Sequence, residues 1–254
     1  MATLDEDFRA FAAEPTGVVD GALLVSRLVH TDTSDAWCRG QLRGLSREVG
    51  EVANASSVLA TLRKAGFQGA EQYYDPDNSA LELVLRRKRG IPITLAAVAI
   101  GVSEALDLDA RGINFPGHFL VTIDGVLVDP FLLQVVDDRE RDERILAAGI
   151  PAAQALREAS AADVVLRMLN NLRGLASSRG DHAQALEFID YQLLLASDPF
   201  PLLMARAESW FALGVGAQAA RELERALAVA PDAAMAERIT VRLRELAAQK
   251  RTLH

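Results

Sequence analysis

Residues 90–131 read GIPITLAAVAIGVSEALDLDARGINFPGHFLVTIDGVLVDPF, and the fold class turns on them. Pro92 suits the first turn of a helix, where its missing N–H costs nothing. From Ile93 to Leu106 the chain is apolar nearly all round, and a helix of that kind is buried on most faces. The segments 118–123 and 126–131, HFLVTI and VLVDPF, are rich in β-branched and aromatic residues. Asp124-Gly125 between them is a strong two-residue hairpin signal. A buried helix followed by a β-ribbon in a largely helical chain predicts an α+β domain with a small antiparallel sheet.

The hairpin fixes a register. With Asp124 and Gly125 as the turn, Ile123 faces Val126, Thr122 faces Leu127, and Leu120 faces Asp129. His118 lies two residues before Leu120, so it shares a sheet face with Asp129 and sits on its diagonal, within side-chain reach. A carboxylate there would orient the imidazole and stabilise its charged form. That is the base-and-orienter half of a Cys-His-Asp or Ser-His-Asp site. The competing reading is plain: a His beside Gly-Pro and an Asp before Pro also occur in ordinary turns.

A nucleophile would be expected at the start of the helix near Pro92. A helix N-terminus lowers a thiol pKa and supplies backbone N–H donors. The side chain there is Thr94, an alcohol that gains far less from such a place than a thiol would. Its alternative role is to satisfy the first helical turn. The single cysteine, Cys38, follows Trp37 on an amphipathic stretch and reads as a small buried hydrophobe.

Outward from this block, Leu42, Leu45, Val49 and Val52 recur at helical spacing, and a second short helix fits 57–64. GFQGAEQYYDPDNS, residues 66–79, reads as loop. Asp75, Asp77 and Asn78 resemble a scrap of a calcium loop without its Gly and distal Glu. Ser79 and Glu82 match a capping box, so a helix is expected to start after Ser79 and run to Arg87. Residues 138–160 read as a helical connector, and Ser160 with Asp163 could cap a long helix to Ser178. Gly180, Ala183, Gln184, Ala185 and Leu193 recur 34 positions later as Gly214, Ala217, Gln218, Ala219 and Leu227, which is the tetratricopeptide period.

The formal net charge of -8 argues against nucleic acid, whose phosphates need an excess of Lys and Arg, and against an anionic membrane. With one cysteine there is no internal disulfide and no thiolate zinc site. His30, His182 and His254 have no ligand-spaced neighbours, so no metal or cofactor is expected. The acidic start, MATLDEDFRAFAAEP, is unlike a signal peptide, and no apolar run is long enough for a bilayer; the expected compartment is the cytoplasm.

Five blocks in order resemble the SirB-one family of bacterial proteins: YYDPDNSALELVLRRKRGIPITLAAVAIGVSEAL, INFPGHFLV, VDPF, ADVVLRMLNNLRGL and the GDHAQAL repeat. The resemblance implies a transglutaminase/papain-like domain, expected at 1–150, followed by an all-α tetratricopeptide-like tail, expected at 151–254. It implies that His118 and Asp129 hold the His and Asp places of a transglutaminase triad. It also places Thr94, or a residue one turn away, near the lost cysteine. Asn78, Ser79, Arg167 and Asn171 match its blocks as well, with capping and hydrogen bonding as their default roles. The expected function is that of a non-catalytic scaffold, ligand-binding or regulatory protein with a protein or peptide partner. The alternative is a hydrolase or acyltransferase on amide or ester bonds using Thr94, His118 and Asp129.

Overall fold

A computed structural model describes residues 3–252 of the chain; His254 lies outside the described residues. In chain order the elements are α1 (Leu4–Ala13), α2 (Val18–Val29), α3 (Asp35–Arg47), α4 (Ala55–Lys64), β1 (Gln68–Gly69), α5 (Leu81–Arg87), β2 (Arg89–Gly90), α6 (Pro92–Glu104), β3 (Ala110–Ile113), β4 (Leu120–Ile123), β5 (Val126–Asp129) and β6 (Gln134–Val135). Then follow α7 (Asp138–Ala148), α8 (Ala152–Ala155), β7 (Glu158–Ala159), α9 (Ala161–Ser178), α10 (His182–Leu195), α11 (Phe200–Ala212), α12 (Gly216–Ala228) and α13 (Ala233–Thr252). The fold is α+β, as the helix and hairpin signals predict. Its contacts divide it into two compact units, residues 1–168 and 169–254.

The first unit is built around α6, where every residue from Pro92 to Ser103 is buried. The helix packs against α2, α3, α4 and α5 and against β3 and β4. Gly101 permits the closest approach: a Cβ there would lie 2.8 Å from both Leu42 and Val19. The five-stranded sheet has the order β6-β5-β4-β3-β7 with every pairing antiparallel. Asp124 and Gly125 take φ values of 47° and 78°, the pair of positive angles a tight primed turn requires. The register is the expected one, with Ile123 opposite Val126 and Thr122 opposite Leu127. A separate parallel pair, β1 with β2, leads directly into α6.

Two local expectations give way. Ser79 does not cap α5; it is a buried residue ending a short 3-10 turn from Pro76, and the helix starts from Ala80 without a side-chain cap. Glu82 is used at longer range, accepting from the Ser34 N–H at 2.6 Å and from Arg86. The connector is not wholly helical, because Glu158 and Ala159 pair with Ile113 and Gly112 as β7. That pairing holds the chain to the sheet beyond residue 150. The contact division at 168/169 falls within α9.

Ser160 and Asp163 do cap α9 reciprocally, each side chain accepting from the other's backbone N–H at 3.1 and 3.0 Å. In the second unit the 34-residue repeat has a structural counterpart. Gly180 and Gly214 both turn the chain with φ near 75° (74° and 75°), and Ala185 and Ala219 are both fully buried. Phe200, Leu203, Ala207, Leu223, Ala226 and Ile239 form that unit's own core. No helix among the described residues is long and apolar enough to cross a membrane.

Candidate functional site

The chain after β5 turns sharply, and Asp129 makes the turn. Its Oδ1 accepts from the N–H groups of Phe131 and Leu132 at 3.0 and 3.1 Å, which leaves Oδ2 for other partners. His118 Nε2 lies 2.8 Å from Oδ2, and Arg144 Nη2, on α7, donates to the same oxygen at 3.0 Å. An ionised carboxylate only accepts, so Nε2 carries the proton of this bond, and Nδ1 is the ring's other nitrogen.

Asp129 is completely buried. Burial alone would raise its pKa. The hydrogen bond and charge of His118, the Leu132 N–H and Arg144 outweigh that and hold the carboxyl below its ordinary value. Arg144 is tied in turn to Glu140 at 2.6 Å. The imidazole is 23% exposed, so it is reachable from outside while its orienting carboxylate is not.

The loop that presents His118 is fastened by Arg167 on α9. Its guanidinium donates to the Asn114 side chain, to Phe115 O at 3.3 Å and to His118 O at 2.7 Å, and lies over the Phe119 ring. Burial lowers its pKa from the ordinary value, against a small opposing effect of Tyr73. On the other side, the Phe131 ring meets the imidazole edge-on with centroids 6.2 Å apart. Phe131 also lies against β1, where a Cβ added at Gly69 would sit 2.4 Å from the ring. Gly69 is glycine because this aromatic wall leaves no room for a side chain.

Thr94 sits in the first turn of α6 and is completely buried. Its hydroxyl donates to the main-chain carbonyl of Asn78 at 2.7 Å. The Asn78 side chain in turn donates to Gln72 O at 2.7 Å and Tyr73 O at 3.4 Å. These bonds stitch the 72–79 loop to the helix start, and they use the one proton Thr94 could offer to a base.

A model of the transglutaminase-like superfamily matches residues 35–170 of the chain. The chain belongs to the transglutaminase-like superfamily. A tetratricopeptide repeat model matches residues 172–244. The UPF0162 protein of Xylella fastidiosa (strain 9a5c) is 30% identical over 91% of this chain and 88% of its own length. The UPF0162 protein of Pseudomonas aeruginosa is 30% identical over 96% of each chain. The protein SirB1 of Salmonella typhimurium is 22% identical over 61% of this chain and 64% of its own. The two models thus cover the transglutaminase-like and tetratricopeptide-like parts read in the sequence.

In this transglutaminase-like protein the structure brings together His118 and Asp129 and gives Thr94 a different partner. Cys38, in the core of α3, is fully buried; burial, then the charges of Glu82 and Asp35, push its thiol up to about 12, so it stays a protonated core side chain. Asp75 and Asp77 pair with Arg87, which accounts for the acidic loop. Asn171 lies on α9 beyond the division, half-buried. Arg144 and Phe131 were not singled out in the sequence. Phe131 closes the VDPF block and could have been. Arg144 sits in DRERDERILAA, where nothing local separates it from six other charged residues.

Proposed function

We propose that this transglutaminase-like protein works without catalysis, as a cytoplasmic scaffold or regulatory protein that binds a protein or peptide partner. One observation carries the reading: the hydroxyl of Thr94, in the first turn of α6, is buried and donates to Asn78 O at 2.7 Å. An attacking alcohol must pass its proton to a base within hydrogen-bond reach. Here the bond runs to a carbonyl that cannot accept a proton at neutral pH. Tetratricopeptide repeats generally mediate protein–protein interaction, and the match over 172–244 supports a partner of that kind. The reading needs no cofactor and no metal.

A second reading, a hydrolase or acyltransferase using Thr94, His118 and Asp129, draws on the 2.8 Å contact that orients the imidazole. Activated-ester and amide reporters separate the two. Wild type, Thr94→Ala and His118→Ala are expected to give the same slow background release. Turnover in wild type that both variants abolish would establish the enzyme and remove the scaffold reading.

A further inference from the structure

Helix α7, DRERDERILAA, has no buried residue, and its Leu146 is 83% exposed. Its apolar attachment is Ile145, which joins Ile150 and Leu156 against Ile113, Phe115, Leu120 and Ala155. Its polar attachments are Gln134 to Glu140 at 3.3 Å and Arg144 to Asp129 at 3.0 Å. The helix is bounded by the Val136-Asp137 segment on one side and by Gly149, with φ of 67°, before Pro151 on the other. A charge paired with the most buried carboxylate of the site therefore comes from a surface helix that contributes little to the core.

We propose that α7 is a latched cover at the buried Asp129 side of the pair, which Arg144 holds shut and whose release further exposes the imidazole, 23% exposed when shut, while the sheet stays folded. The partners of Asp129 make release tolerable. Without Arg144 the carboxylate still accepts from His118 and from the N–H groups of Phe131 and Leu132, so no buried charge is stranded. α7 gives up one partly buried apolar contact, that of Ile145, because none of its residues is fully buried. Local openings of this kind arise where buried apolar contacts are few. The inference does not depend on whether Thr94 is a nucleophile.

Hydrogen exchange with mass spectrometry on the full chain tests it, on wild type and Arg144→Gln. In wild type the α7 amides are expected to exchange at least about a hundredfold faster than those of α6, through an opening short of global unfolding. In the variant, α7 exchange rises about tenfold with α6 unchanged, and carbethoxylation of His118, read on its own peptide, rises about fivefold. Equal exchange of α7 and α6 in wild type would overturn the proposal. So would a variant with α7 exchange and His118 reactivity unaltered. A variant that no longer folds cooperatively would overturn it too, because a latch is dispensable to the core.

Discussion

At the sheet end of the site, His118, Asp129 and Arg144 form a connected set in which the buried carboxylate has four donors. At the helix end, 16 residues separate Thr94 from its partner in sequence, and its hydroxyl closes a loop onto the helix. Both ends are hydrogen-bonded, yet they differ in kind. The first has the wiring of acid–base machinery. The second is a structural bond. The His118–Asp129 pair also holds a turn, a loop and a helix in place.

Removing Asp129 should be the most damaging change at either end. Asp129→Ala leaves His118 and two turn N–H groups without their acceptor and Arg144 with Glu140 alone, and is expected to cost about 3–5 kcal/mol in chemical denaturation. A loss below about 1 kcal/mol would mean the sheet-end network contributes little. Thr94→Val probes the helix end by a near-isosteric change. It leaves the Asn78 carbonyl without its donor and should cost about 1–3 kcal/mol; an unchanged midpoint would mean the hydroxyl is free for other work.

His118→Ala leaves Asp129 with three of its donors, so about 1 kcal/mol is expected. A cost larger than that of Thr94→Val would reverse the ranking of the two ends. Gly69→Ala should displace Phe131 from the imidazole edge, with a smaller effect on folding than on the environment of His118. The His118 ring signals in NMR would report it, and unmoved signals would show that Phe131 does not define that wall.

Acid titration gives the smallest and broadest signal. Asp129 and Glu82 both have folded-state pKa values below their ordinary ones. The unfolded chain therefore binds more protons as pH falls. The stability they confer is complete above about pH 5 and is lost progressively below it, as pH falls through the folded values. Asp129→Asn should flatten that slope. An equally steep acid transition in the variant would assign it to other carboxylates.

Much of the sheet end was legible because its logic is local. Asp124-Gly125 sets the turn, alternation sets the faces, and His118 and Asp129 follow by counting. The 34-residue repeat was legible for the same reason, with Gly180 and Gly214 repeating one backbone conformation. What could not be read depends on distant partners. Arg144 lies 15 residues from Asp129 in a run of charges without distinguishing period. The acceptor of Thr94 is a backbone carbonyl, which every residue carries. Ser79 and Glu82 fit a capping box, but tertiary partners took Glu82, and β7 is two residues long with no signal of its own.

The nucleophile position can be interrogated directly with a thiol. In Thr94→Cys the native Cys38 is a silent background, buried with its thiol raised to about 12. If position 94 is structural, the new thiol is buried as Thr94 is, and iodoacetamide should label it more slowly than a free cysteine at every pH up to about 8.5. Rapid labelling that persists well below that pH would reveal a poised thiolate beside His118 and contradict the non-catalytic account.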